Sequence, residues 1–357
     1  MRQELVSSGR PTGRASPLPS KPTQSEQTPR KGQNSPELHR AEARWRELEG
    51  AGAPSKKRTF MTMTTMTIQA RGLQFTAEAS SGRAPAPGAA SGGGPPNGEL
   101  VLLLHGFPQT RHTWRAELAA LTDEGYCCCA FDQRGYSEGA RPVAIDAYRT
   151  EEMVADAIAI ASAIGFERFH LVGHDWGGQI AWCLAALQPE RVKTLAVISR
   201  PHPAAFSHAL VSDPAQAARS GHHRRFQSLD AADDLLADDA ASLREMYIKW
   251  GGVPAADAQE YLSTLGEREA LNAAINWYRA ASDSAITAAQ LPSVTMPTLY
   301  VWGTGDSTVG RIAAEGTKAM VDGPYEFVQL PDVGHFVTDE APGVFTDLLL
   351  RHLATHR

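Results

Sequence analysis

From about residue 99 the sequence alternates regularly between short apolar runs and amphipathic stretches. This alternation is the feature that most constrains the fold. The apolar runs fit buried parallel strands. They are "ELVLLLHG", "YCCCAFD", "RFHLVGHD", "KTLAVIS", "PTLYVWGTGD" and "YEFVQLPDVGH". Helix-like stretches separate them, such as "TEEMVADAIAIASAIG" and "GQIAWCLAALQPERV". The alternation predicts an α/β fold with a mostly parallel central sheet flanked by helices.

One segment interrupts this pattern. Residues 201–291 read as several helices with no strand pattern, where a single crossover helix would suffice. We therefore predict an inserted helical cap at 201–291, and a core formed by 61–200 and 292–357.

The N-terminal part of the chain has a different composition. Residues 1–60 are rich in Pro, Ser, Gln and Arg and lack apolar periodicity, so we predict a disordered extension. Met61 or Met63 would be a natural start, with a strand following. Residues 80–99 are rich in Gly, Pro and Ala, which is typical of a linker or a long hairpin loop.

Composition narrows the class of protein. A net charge of −6 gives no reason to expect a nucleic-acid or membrane partner, and the apolar runs are too short to span a bilayer. Three of the four cysteines are adjacent in a strand-like run, where neighbouring side chains point to opposite faces and cannot share a metal. Buried reduced thiols fit a cytoplasmic location.

The segment "GHDWGG" (173–178) lies between a predicted strand and a predicted helix, as a nucleophile elbow does. Its central residue is Asp175, where such elbows usually carry Ser. Asp306 and His335 follow two later strands. The carboxyl ends of parallel strands meet at one sheet edge, and the order nucleophile, acid, His is that of the α/β-hydrolase triad.

Each of these residues also has a simpler explanation. Asp175 could be a helix N-cap, Asp306 a turn residue and His335 a structural histidine. Asp132, at another strand end, competes as the acid, but its position suggests that it holds Arg134 in a loop. His170 and His174 would lie about 13 Å apart on a strand, too far to share a metal.

A carboxylate nucleophile predicts a particular chemistry. Asp175 is already an anion at neutral pH and suits displacement at saturated carbon, which leaves an alkyl ester on Asp175. His335, oriented by Asp306, would then activate the water that hydrolyses the ester. The backbone N–H groups of Phe107 and Trp176 are expected to stabilise the oxyanion.

These residues resemble the epoxide hydrolase branch of the α/β-hydrolase fold over about residues 63–355. The matching segments, in order, are "HGFPQTRHTW", "GHDWGG", "INWYRA", "GTGD" and "GHF". The resemblance implies that Tyr278 of "INWYRA" donates a hydrogen bond to the epoxide oxygen. Relatives usually have a second Tyr in the cap, and His222 of "RSGHHRRFQ" stands at that position here. An imidazole N–H can also donate, unless His222 and His223 are only solvated loop residues.

Two other classes of function stay open, dehalogenation and ligand binding without turnover. Haloalkane dehalogenases share the Asp elbow and the following Trp, but often have an Asn where this chain has Phe107, although Trp250 or Trp277 could substitute. Haloacid dehalogenases bind a carboxylate with Arg, for which the cap offers Arg224, Arg225 and Arg279. A ligand-binding protein without turnover is the third possibility. The favoured prediction is an enzyme without a cofactor or metal that acts on a small hydrophobic epoxide and water, with a homodimer as a possible assembly.

Overall fold

The structure, a computed structural model, describes residues 63–80 and 98–356. All of them belong to one compact unit, Thr59–Arg357. The predicted disordered extension at 1–60, the proposed start at Met61 and most of the predicted linker at 80–99 lie outside the described residues.

Eight strands form one mixed sheet. They are β1 (Met63–Ala70), β2 (Leu73–Ser80), β3 (Leu100–Leu104), β4 (Cys127–Phe131), β5 (Phe169–His174), β6 (Val192–Ile198), β7 (Thr298–Gly303) and β8 (Tyr325–Leu330). The spatial order is β1-β2-β4-β3-β5-β6-β7-β8. β2 pairs antiparallel with β1 and with β4, and the six strands β3–β8 are parallel to one another. The predicted α/β-hydrolase fold with a mostly parallel sheet is confirmed.

Twelve α-helices pack around this sheet in the described part of the chain. They are α1 (Arg115–Asp123), α2 (Thr150–Ala163), α3 (Trp176–Leu187), α4 (Pro203–Ser212), α5 (Pro214–Arg219), α6 (Gly221–Arg225), α7 (Ala231–Lys249), α8 (Ala255–Leu265), α9 (Arg268–Ala280), α10 (Arg311–Gly316), α11 (Val337–Glu340) and α12 (Pro342–Thr355).

The core has two layers because successive strand residues face opposite sides of the sheet. On one side, Leu171 of β5 packs in a cluster with Ile160 of α2 and Ile180 of α3. On the other, Val172 of β5 packs with Leu121 of α1 and Leu349 of α12. Apolar side chains on both faces account for the nearly continuous hydrophobic runs of the parallel strands.

Helices α4–α9 fill the chain between β6 and β7, and residues 201–291 contain no strand. We call this segment the insertion. Its apolar side chains, such as Phe226 and Trp277, belong to the same cluster as Ile180 of the core. The insertion is therefore packed onto the carboxyl ends of the strands through buried apolar surface.

The three adjacent cysteines lie on β4, and all four cysteines of the chain are buried free thiols. Burial raises the pKa of Cys129 to about 12, so this thiol stays protonated. The predicted burial of these thiols is confirmed. Among the described residues no helix is long and apolar enough to cross a membrane.

Candidate active site

Asp175 occupies the sharp turn between β5 and α3. Its backbone has φ 49° and ψ −116°, a conformation that a non-glycine residue adopts only under strain. The turn is closely packed, because a Cβ on Gly177 would lie 2.0 Å from the carbonyl oxygen of Leu104. The sequence GHDWGG thus folds as a nucleophile elbow that presents the Asp175 side chain at the sheet edge.

The loop after β3 supplies a hydrogen-bond donor to this carboxylate. The backbone N–H of Phe107 donates to Asp175 Oδ1 over 3.0 Å. A side chain on Gly106 would collide with Asp175, since its Cβ would lie 2.4 Å from the Asp175 Cβ. Trp176 is the first residue of α3, and the first N–H groups of a helix have no partner within that helix. Both predicted oxyanion donors therefore lie beside Asp175.

His335 lies between two carboxylates. Its Nε2 is 3.6 Å from Asp175 Oδ2, and its Nδ1 is 2.9 Å from Asp306 Oδ2. The other oxygen of Asp306 accepts hydrogen bonds from the backbone N–H groups of Thr308 (2.7 Å) and Val309 (3.0 Å). The three predicted triad residues are thus brought together, with Asp306 fixed by its own loop.

The backbone of His335 is also held. Its carbonyl oxygen lies 2.8 Å from Ser199 Oγ, which donates to it, and 2.9 Å from His174 Nε2. Its N–H donates to the carbonyl oxygen of Trp250 in the insertion over 2.7 Å. These bonds fix the position from which the imidazole reaches Asp175.

The charges of this group stabilise one another. Burial disfavours the Asp175 carboxylate, but the positive charge of His335, 3.6 Å away, outweighs it and holds the pKa of Asp175 well below its usual range. Burial likewise opposes the imidazolium form of His335, and the carboxylates of Asp306 and Asp175 raise its pKa to about 10. The resting site therefore contains an ionised Asp175 beside a protonated His335 at neutral pH.

The insertion closes the other side of a small cavity in front of Asp175. Tyr278 of α9 lines it, is 3% exposed, and contacts the ring of Trp176 edge-to-face at 5.0 Å between centroids. Burial, followed by the charge of Asp175, raises the pKa of Tyr278 well above its usual value, so its hydroxyl stays a proton donor.

His222 and His223 of α6 line the same cavity, and neither is fully exposed. Burial lowers the pKa of His222 to about 4 and that of His223 to about 3, so both are neutral at pH 7. His222 Nδ1 lies 3.2 Å from the carbonyl oxygen of Arg219, which can only accept. That bond places the proton of neutral His222 on Nδ1 and leaves Nε2 as an acceptor.

Residues 99–342 match the family described as alpha/beta hydrolase fold. The chain is 32% identical to Epoxide hydrolase A of Mycobacterium tuberculosis, over 73% of this chain and 92% of that protein. It is also 32% identical to the AB hydrolase superfamily protein YfhM of Bacillus subtilis, over 72% of this chain and 91% of that protein. The chain belongs to the epoxide hydrolase branch of the α/β-hydrolase family.

A solved structure supports the same assignment. It is described under novel epoxide hydrolases of the alpha/beta hydrolases superfamily from metagenomes of hot environments. Its TM-score is 0.71 at 29% identity, and the match covers 83% of this chain and all of that chain. The protein is thus an epoxide hydrolase-like hydrolase.

Several side chains of this hydrolase make contacts other than the ones predicted for them. Asp132 does not hold Arg134: it accepts hydrogen bonds from the backbone N–H and the side chain of Arg111, while Arg134 pairs with Asp156 at 2.7 Å. The indole N–H of Trp277 donates to the Arg134 carbonyl oxygen over 2.8 Å, so it is not available to a halide.

The predicted carboxylate-binding arginines of the insertion also lie elsewhere. Arg224 and Arg225 are exposed, and Arg279 donates to the side-chain oxygens of Asn272 and Asn276. Within the described residues no group of His, Cys, Asp and Glu could hold a metal ion.

Sequence reasoning assigned no role to three groups at this site. Thr308 Oγ1 lies 2.9 Å from both Asp306 Oδ1 and His335 Nδ1. Ser199 fixes the His335 carbonyl, and Arg200 lines the cavity. The position of "SRPHP" at a strand end was the available signal for Ser199 and Arg200, but it does not show which way their side chains point.

Proposed function

We propose that this hydrolase converts an epoxide to a vicinal diol through a covalent alkyl ester on Asp175. The observation that carries the proposal is the placement of an ionised Asp175 between the base His335, at 3.6 Å, and the cavity lined by Tyr278. A carboxylate at an elbow, a histidine behind it and a hydroxyl donor opposite are the groups that ring opening and ester hydrolysis require.

In the first step Asp175 Oδ2 attacks a ring carbon of the epoxide. A carbon–oxygen bond forms, the ring carbon–oxygen bond breaks, and its electron pair goes to the epoxide oxygen. Tyr278 donates a hydrogen bond to that oxygen as charge develops, and supplies the proton. Asp175 Oδ1, held by the Phe107 N–H, becomes the carbonyl oxygen of the ester.

In the second step His335 removes a proton from water, and the hydroxide attacks the ester carbonyl carbon. The oxyanion develops on Oδ1, where the N–H groups of Phe107 and Trp176 stabilise it. The tetrahedral intermediate collapses by breaking the bond from carbonyl carbon to alkyl oxygen. The diol alkoxide takes up the proton from His335, and Asp175 is regenerated.

Esterification itself prepares His335 to act as the base. In the resting site His335 is protonated because both neighbouring carboxylates favour its charge. The ester removes the Asp175 charge, so the pKa of His335 falls, and the proton that the ring releases returns to the Tyr278 phenolate left by the first step. Neutral His335 can then deprotonate the attacking water. The base is therefore neutral when a substrate is bound to Asp175.

Two other functions predict different products. A haloalkane dehalogenase would use the Trp176 and Trp250 indoles to hold halide, and Trp250 lines the cavity. The Phe107 side chain has no hydrogen-bond donor for a halide, and its backbone N–H already donates to Asp175. Both facts favour an epoxide as the substrate. A ligand-binding protein without turnover would not need His335 within reach of Asp175.

Single-turnover hydrolysis of styrene oxide in ¹⁸O-labelled water tests the mechanism. With enzyme in excess, the diol of the first turnover should be unlabelled, and the label should appear on Asp175, because water attacks the ester carbonyl. Labelled diol from the first turnover would overturn the covalent route. Bromide from a bromoalkane, with no diol from styrene oxide, would favour the dehalogenase instead.

A further inference from the structure

Arg200 is a buried cation at the active site that the proposed mechanism does not use. It follows β6, is 8% exposed, and lines the same cavity as Asp175 and Tyr278. A buried guanidinium normally pairs with a carboxylate, because removing its charge from water is otherwise costly.

The side chains in direct contact with Arg200 are neutral; burial lowers the pKa of Arg200, and the more distant Asp175 carboxylate partly opposes this shift. Nε and Nη2 donate to the Gln179 side-chain oxygen over 3.1 and 3.0 Å. The guanidinium lies over the ring of Phe206 at 4.3 Å and near that of Trp176 at 5.6 Å. Among the described residues it forms no ion pair, and Nη1 has no hydrogen-bond acceptor.

Arg134 provides a comparison at similar burial. Arg134 is 6% exposed and forms two hydrogen bonds of 2.7 Å with the carboxylate of Asp156. Arg200 has an amide oxygen where Arg134 has a carboxylate. The neighbouring His222 and His223 do not supply a negative charge either, since both are neutral at pH 7.

The geometry leaves one side of the guanidinium for a ligand. Gln179 occupies the edge formed by Nε and Nη2, and the ring of Phe206 lies against the guanidinium at 4.3 Å. The remaining edge, formed by Nη1 and Nη2, has the two-pronged shape that matches a carboxylate.

We infer that Arg200 binds a carboxylate group of the substrate, so that the substrate class of this enzyme is an epoxide carrying a carboxylic acid. This inference rests on the proposed function. A substrate carboxylate would be repelled by the ionised Asp175 as it approached, and the charge of Arg200 offsets that repulsion. Neutral epoxides would enter without using Arg200.

A matched pair of substrates tests this. 3-Phenyloxirane-2-carboxylate and its primary amide have nearly the same shape and differ in charge. The wild type should have a kcat/KM at least about 10-fold higher for the acid, which corresponds to one charge-assisted bidentate contact. Arg200→Met should lower the acid-to-amide ratio of kcat/KM by at least about 10-fold, mainly through KM.

Arg200→Lys should give an intermediate ratio, because Lys retains the charge but lacks the fork. Arg224→Met and Arg225→Met are the controls: both residues are exposed on α6, and the ratio should equal that of the wild type. A wild-type ratio near one, or a ratio unchanged by Arg200→Met, would overturn the inference and leave the proposed function intact. Absence of diol from the acid, the amide and styrene oxide would overturn the proposed function itself.

A second measurement does not depend on folding of the variants. 3-Phenylpropanoate should inhibit styrene oxide hydrolysis by the wild type at least about 10-fold more strongly than 3-phenylpropanamide. Equal inhibition by the two compounds would contradict an anion-binding role for Arg200.

Discussion

His335 Nε2 lies 3.6 Å from Asp175 Oδ2, within reach of the nucleophile's carboxylate but too far for a strong hydrogen bond. The opposite nitrogen of the same ring is held at 2.9 Å by Asp306. In the proposed mechanism the tighter contact fixes the ring orientation, and the looser one leaves room for water to reach the carbonyl carbon of the Asp175 ester. This asymmetry matches the two roles assigned to the carboxylates.

Asp306→Asn should slow hydrolysis of the ester far more than its formation. Asn cannot stabilise the imidazolium that forms when His335 takes a proton, so kcat should fall by about 10²–10⁴-fold. Rapid-quench experiments with styrene oxide should show a burst of covalently modified enzyme before slow turnover. A control, Asp132→Asn, changes a strand-end carboxylate that pairs with Arg111, and it should give no burst. An equal slowing of both steps in Asp306→Asn would contradict the assignment.

Asp175→Asn should lower the pKa of His335. Asn is a neutral isostere that removes one of the two carboxylates holding that pKa near 10, as esterification would. NMR titration of the labelled His335 ring in wild type and variant measures the change. His352, whose pKa burial lowers to about 4, is the internal control and should titrate alike in both proteins. If His335 titrated alike in both, Asp175 would not control its protonation.

Tyr278→Phe should lower kcat/KM for styrene oxide by about 10²–10³-fold, the size expected for one donor to a developing oxyanion. His222→Gln should lower kcat/KM by less near pH 7, because Nδ1 of neutral His222 donates its hydrogen bond to the Arg219 carbonyl oxygen. Tyr300→Phe is the matched control: its buried hydroxyl has no hydrogen-bond partner among the residues that the structure describes, and it lies outside the cavity. A larger loss in His222→Gln than in Tyr278→Phe would make the histidine the main donor.

Glu117→Gln should stabilise the protein at alkaline pH. Glu117 is fully buried, with one oxygen 3.1 Å from Thr346 Oγ1, and burial raises its pKa to about 8. The folded protein keeps Glu117 protonated up to a higher pH than the unfolded chain does. The contribution of this group to stability is therefore complete below about pH 4.3 and declines as the pH rises towards 8. The free energy of unfolding, measured by urea denaturation, should be higher in the variant than in the wild type by a larger amount at pH 8.5 than at pH 5. These two amounts should differ by on the order of a few kcal/mol. A margin independent of pH would show that Glu117 ionises normally.

The parallel strands and the elbow could be predicted from the sequence because each depends on local pattern, whereas the order of the strands in the sheet does not follow from it. Apolar runs bounded by turns predict strands, and residues that follow such runs fall on one edge of a parallel sheet. This is why the sequence alone predicts that Asp175, Asp306 and His335 meet.

The groups that surround them depend on contacts between distant segments. Arg134 was expected to pair with Asp132, two residues away, but Asp156 on α2 reaches it instead, and Asp132 accepts from Arg111. The environment of Arg200 is made by side chains of α3 and α4. No periodicity along the chain encodes which of these side chains face each other.

The hydrogen bond from the His335 N–H to the Trp250 carbonyl links the insertion to the general base. Trp250 caps α7, so any displacement of that helix that admits a substrate or releases a diol also moves an anchor of the base. Opening of the cavity and positioning of His335 are then coupled: an enzyme whose insertion has moved away from the core has an open cavity but has lost this anchor of His335. The proposed mechanism therefore requires the insertion in the position seen here when the ester is hydrolysed.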